Sequence, residues 1–184
     1  MENTKPSLFR TIISMMISPG AVLKNAISNI PWFFSLPVSA LAFCLFFLQT
    51  GLDLCKTGQK SFCFALISAA AGAAYGLIMI PLLAAILWCV LKLFKTDKGL
   101  KWAISSFCLS YSGALIYGIL GIVFSVLVGW KTAISFGVTG VIWATGPLIS
   151  SIREMSGGKN VLSIILATFM GVAVLFSWSF FGQI

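Results

Sequence analysis

AAAGAAYGLIMIPLLAA, residues 69–85, contains no charged residue and no polar turn, and it lies inside an uncharged run from 61 to 91. Two folds compete for such a run. A re-entrant hairpin needs a polar turn at its tip; a single helix needs only length. At 1.5 Å rise per residue, a helix over 61–91 reaches roughly 46 Å, more than the ~30 Å of hydrocarbon it has to cross. The run therefore predicts one long, tilted membrane helix. A bend is expected at Pro81, because proline removes a backbone hydrogen bond and crowds the preceding turn.

Outward from this run the same pattern repeats. Of the 184 residues, 59% are hydrophobic and only 9% are charged, and mean hydropathy is +1.05. A soluble domain carries about 25% charged residues, so this chain lacks the charge to face water on all sides. Uncharged runs predict five spans, at about 31–51, 61–91, 102–128, 133–149 and 161–181, with Pro37 near the helical start of the first. The expected class is an all-α integral membrane protein: a five-span domain over 31–184, preceded by a segment over 1–30 with short amphipathic interfacial helices.

Two stretches of that segment carry helical, one-sided patterns. In SLFRTIISMMI, residues 7–17, positions 8, 9, 12, 13 and 16 are apolar, while 7, 10, 11 and 14 are polar. Ser18 and Pro19 then open a second helix with Val22, Leu23, Ala26, Ile27 and Ile30 on one face and Lys24, Asn25, Ser28 and Asn29 on the other. Neither can span. Both are expected in the headgroup plane, with Lys5, Arg10 and Lys24 near lipid phosphates; packing on the protein surface of the spans is the competing reading. The apolar run at 12–17 is too short for a cleavable leader, so the first span is expected to act as an uncleaved anchor.

Orientation follows from the basic residues. LKLFKTDKGLKWAISSF, residues 91–107, concentrates Lys92, Lys95, Lys98 and Lys101 beside Asp97 between two charge-free runs. With the N-terminal segment and the 153–159 loop, nine basic residues fall on one side of the membrane; Lys56, Lys60 and Lys131 fall on the other. The positive-inside rule then predicts a cytoplasmic N-terminus and a C-terminus on the far side of a cell membrane. Trp32, Trp88, Trp102, Trp130 and Trp178 fall near span ends, as interfacial tryptophans do, and only Trp143 lies mid-span. The lysine island is expected to attract anionic headgroups by roughly 3 kcal/mol. Its short-loop setting argues for a membrane surface and against nucleic acid as partner.

Chemistry is sparse. Histidine is absent, and Cys44, Cys55, Cys63, Cys89 and Cys108 form no CxxC, so neither a metal site nor a cofactor is expected. Cys55 and Cys63 flank one loop and are read as either paired or free. Glu2, Asp53, Asp97 and Glu154 all fall outside the predicted spans, which leaves no intramembrane carboxylate, lysine or arginine for a coupled carrier and no acid/base pair for an enzyme. SGGKN, residues 156–160, fails the phosphate-loop pattern, since Arg153 replaces its first glycine and Asn160 its final hydroxyl residue. Gly72 and Gly76 form a small-xxx-small face for helix packing, within the bundle or in a homo-oligomer. Ser110, Tyr111, Ser112 and Tyr117 make the third span the most polar; interhelical hydrogen bonds and a polar groove both account for them.

SPGAVLKNAISNI, then LFKTDKGLKWAISSFCLSYSGALIYG, then VIWATGPLISSIREMSGGKNVLSIILATFMGVAV give, in order, a proline-headed amphipathic segment, a basic loop before a tyrosine-bearing span, and two closing spans around a short polar loop. This succession resembles the Yip family of Ypt/Rab-interacting membrane proteins over residues 16–181. A proline that often follows the third-span tyrosine in that family is replaced by Gly113 and Ala114, and a DLYGP-type N-terminal motif is missing. The chain is therefore more similar to prokaryotic members, and Rab binding does not transfer. What the resemblance implies is a multi-pass membrane protein, with no biochemical role attached. The amphipathic segment, the lysine island and the charge-free spans lead to the expectation of a non-enzymatic scaffold or adaptor that engages anionic lipid or a membrane partner; the polar third span and bent second span give a facilitator of lipid or small-solute movement as the alternative.

Overall fold

A computed structural model describes residues 8–25, 27, 30–93 and 95–181. The expectations for Glu2, Lys5, Ala26, Ser28 and Asn29 lie outside the described residues. Two short helices come first, α1 (Leu8–Ile17) and α2 (Pro19–Asn25). A tight turn over Trp32–Phe34 leads into α3 (Leu36–Lys56), then α4 (Phe62–Lys92), α5 (Leu100–Ser110), α6 (Ser112–Leu127), α7 (Thr139–Met155) and α8 (Asn160–Phe181). Five helical segments are long and apolar enough to cross a membrane: Trp32–Lys56, Phe62–Lys92, Leu100–Leu127, Ala133–Met155 and Asn160–Phe181. The protein is all-α, with no strand among the described residues.

Local chemistry explains most boundaries. Pro37 sits in the first turn of α3, where its missing N–H would have had no partner anyway. Helix α4 continues through Pro81 for 31 residues, the single helix expected from the charge-free run. The third span differs from the reading of one unbroken helix. It breaks at Tyr111, whose N–H reaches the Cys108 carbonyl at 3.3 Å, three residues back rather than the four of an α-helix. On either side, Ser110 Oγ donates to the Ser106 carbonyl at 2.7 Å and Ser112 Oγ to the Leu109 carbonyl at 2.6 Å. Such hydroxyl groups compete for helix carbonyls and favour a break there. The fourth span opens with a wide π-helical turn over Ala133–Val138 before α7 begins.

Helix α3 is the centre of the bundle. Phe43 packs on Tyr75 of α4 at 5.0 Å and on Tyr111 at 4.9 Å between ring centroids, and Phe46 stacks on Trp178 of α8 at 5.0 Å. Its closest neighbour is α4. A Cβ on Gly72 would strike the Phe43 carbonyl, and one on Gly76 the Ser39 carbonyl, so these glycines let two backbones touch. Ser39 Oγ adds a 2.9 Å bond to the Gly76 carbonyl across this seam. Outward, α4 and α8 present Ile67, Ile78, Phe169, Val172 and Phe176, an apolar face fit for lipid.

The two N-terminal helices lie on this bundle. Met15, Val22, Leu23 and Ile27 are buried in one cluster with Val38 and Leu109, and α1 packs against both α5 and α6. The spans take up the apolar face that Val22, Leu23 and Ile27 share, as the competing reading of this segment had it. Phe9 and Ile17 of α1 remain 73% and 80% exposed.

Candidate functional site

Loops and helix ends sort into two groups. At one end α2, the α4–α5 loop and the α7–α8 turn come together, and we call it the basic end. Lys24 of α2 and Arg153 in the last turn of α7 line one cleft of about 430 Å³, with Ser150, Glu154, Gly157 and Gly158. Gly157 and Gly158 have φ of +68° and +90°, and the Gly158 N–H donates to the Arg153 carbonyl at 2.9 Å. That bond ends α7 in a left-handed turn which glycine adopts without strain, and this accounts for SGG without any phosphate loop. Glu154 in the same cleft is matched by Lys98 at 3.3 Å, which leaves Lys24 and Arg153 as its unmatched charges.

The four island lysines do not act alike. Lys98 turns inward, onto Glu154 and over the Trp102 ring at 5.2 Å. Its backbone carbonyl accepts from Trp88 Nε1 at 2.9 Å, which ties the loop to α4. Lys92 lies over the Trp88 ring at 5.1 Å. Lys95, at φ +59°, is exposed. Lys101 is exposed as well and lines a second cleft of about 340 Å³ with Trp32, Trp102 and Ser105. Arg10 sits exposed on α1, apart from the residues lining either cleft. Sequence reasoning named Lys24 but not Arg153 as a site residue; its position at a helix C-terminus beside a glycine pair was the available signal.

The polar part of the third span is closed. Ser110, Tyr111 and Ser112 are at most 2% exposed, and their helix or Ser151, 3.4 Å from Ser110 Oγ, takes up the serine hydroxyls. They line no open groove, because back-bonded hydroxyls behave as small, satisfied core groups. Tyr117 is half-buried, 6.1 Å from Trp143 between ring centroids. Gly72 and Gly76 face α3, so their small surface is used inside the bundle. Cys55 and Cys63 are free, and Cys55 Sγ donates to the Ser61 carbonyl at 3.0 Å.

The opposite end was largely missed. Helix α3 runs past the predicted limit at 51, so Asp53 and Lys56 belong to the first span, a correction to its charge-free reading. Gly51 does not end the helix; it is a close-approach point where a Cβ would lie 2.6 Å from Ala65 Cα. Gln49, Asp53 and Lys56 follow at spacings of four and three and share one face. Gln49 Nε2 donates to the Gly118 carbonyl at 3.1 Å. Asp53 Oδ2 accepts the Ala133 N–H at 2.8 Å. Lys56 Nζ donates to the Ser125 carbonyl at 2.9 Å, to Ser125 Oγ at 2.6 Å and to the Trp130 carbonyl at 2.6 Å. Gln49 Oε1, Asp53 Oδ1 and Thr132 Oγ1 are shut off from solvent without a partner. The spacing of these three polar residues was the signal in the sequence. Compared with family models, curated proteins and solved structures, the chain finds no match.

Proposed function

We propose that the protein is a non-enzymatic, multi-pass membrane scaffold or adaptor whose basic end binds anionic lipid headgroups. The observation that carries this reading is the cleft where Lys24 and Arg153, from helices far apart in sequence, converge without a carboxylate of their own. Two cations beside a glycine turn suit a phosphate oxygen, and the exposed Lys95 and Lys101 extend the field along the membrane surface. The excess of basic residues at this end supports a cytoplasmic location for it, and the succession of segments supports kinship with prokaryotic Yip-type proteins. Exposed apolar faces of α4 and α8 are the surface on which a membrane partner or a second copy would pack.

The test is lipid retention by purified protein in mixed micelles of phosphatidylglycerol and phosphatidylcholine, read by native mass spectrometry. The expected result is enrichment of phosphatidylglycerol that falls about tenfold in a Lys24→Gln/Arg153→Gln double variant. Equal retention of both lipids by the unaltered protein would sink the reading. A facilitator of lipid movement is the second reading. An outward-open cleft at the opposite end favours it, while the buried third-span hydroxyls supply no path. Translocation of a labelled lipid in proteoliposomes at the rate of protein-free liposomes would remove it.

A further inference from the structure

Trp143 is the tryptophan that lies mid-span, where interfacial anchoring does not account for it. Part of its ring is packed: a Cβ on Gly113 would strike Cδ1, and the Tyr117 ring is 6.1 Å away between centroids. The rest is open, and 48% of the residue is exposed. It lines a cleft of about 470 Å³ with Met16 and Pro19 of the α1–α2 corner and Ile142, Gly146 and Pro147 of α7. The corner forms because Pro19 disfavours a helical Ser18 and so parts α1 from α2. No charged residue lines this cleft. A Cβ on Gly146 would meet nothing within 4 Å, so the wall there is backbone facing open space.

This apolar cleft continues the basic one along the same two helices. Pro19 and Pro147 line the first; Gly20, next in α2, and Ser150, a turn further along α7, line the second. Lys24 and Arg153 stand at the far end of that second cleft. At a rise of roughly 1.5 Å per residue, Ile142 lies about 16 Å from Arg153 along α7, close to half of the ~30 Å hydrocarbon thickness. A ligand that fills both clefts is anionic at one end and carries an apolar chain about one leaflet long. We infer that the two clefts form one lipid site, in which an acyl chain of the anionic phospholipid follows the α2–α7 groove and ends beside Trp143. This rests on the basic-end reading and adds a place for the chain. A headgroup held by charge alone would leave its chains in the bulk lipid around the outer faces of α4 and α8.

The experiment is photo-cross-linking of the full chain in phosphatidylcholine nanodiscs, with labelled peptides mapped by mass spectrometry. The probe is phosphatidylglycerol with a diazirine in mid-chain, and the comparison probe is phosphatidylcholine with the same chain. The expected phosphatidylglycerol label falls on Met16 and on residues 139–147, and exceeds the phosphatidylcholine label there. Gly146→Leu puts a side chain into the open groove without a clash, so it should remove most of that label while the thermal melt stays unchanged. Lys24→Gln/Arg153→Gln should lower the phosphatidylglycerol label in the groove to the phosphatidylcholine level. Equal groove labelling by the two probes in the unaltered protein would overturn the basic-end reading and this inference with it. The inference alone falls if phosphatidylglycerol stays enriched in micelles while its label is confined to the outer faces of α4 and α8. It also falls if groove labelling survives Gly146→Leu undiminished.

Discussion

The two ends of the bundle use the same residue types in opposite ways. At the basic end Lys24, Lys95, Lys101 and Arg153 stay exposed, and Lys98 makes one ion pair across a loop. At the other end Lys56 reaches from α3 to Ser125 of α6 and to Trp130 in the link, and Asp53 holds the first N–H of the next span. Apart from the Lys98–Glu154 pair, the charges at the first end face outward. Charge at the second ties three spans together. The difference lies in what stands opposite each charge: open surface in one case, bare carbonyls of a tight link in the other. A cation near unpaired carbonyls gains strong, charge-assisted hydrogen bonds, while an exposed surface pair gains little.

The comparison presumes a rigid bundle between the ends, and the largest expected effect attacks that bundle. Gly76→Leu would drive a side chain into the Ser39 carbonyl and separate α3 from α4. A loss of about 3 kcal/mol or more is expected, seen as failure to give a monodisperse, helical protein in detergent. A normal melting curve for this variant would mean that the seam yields easily and that the ends can move independently.

Next in size is Lys56→Met, which keeps the aliphatic stem and removes the three bonds. A stability loss of about 1–2 kcal/mol is expected in a thermal melt, since Trp130 and Ser125 lose a charged donor but water reaches part of the site. Lys98→Gln should cost less than about 1 kcal/mol, because its pair with Glu154 is about a third exposed on both sides. The smallest effect on stability, within about 0.5 kcal/mol, is expected for Lys24→Gln with Arg153→Gln, the variant predicted to lose anionic lipid most. Should this pair destabilise the protein as much as Lys56→Met, the contrast between the ends would disappear.

Hydropathy and length determined the class, the number of spans and the continuity of α4 through Pro81, because in lipid every backbone group must find its partner inside a helix. The helical start at Pro37 was legible for the same local reason. Other features depend on which residues meet across space. The serines around Tyr111 were visible as polar; that they break the span and sit closed in the core depends on their bonds to their own turns and on the packing of Phe43. Gly51 looked like an end and became a contact, because Ala65 stands against it. Lys24 meets Arg153, and Asp53 shares a cleft with Lys131, across separations that no spacing rule reaches. Period and composition are properties of one segment, whereas a site is a property of several. Tertiary structure alone decided which charges bond inside the bundle and which stay exposed.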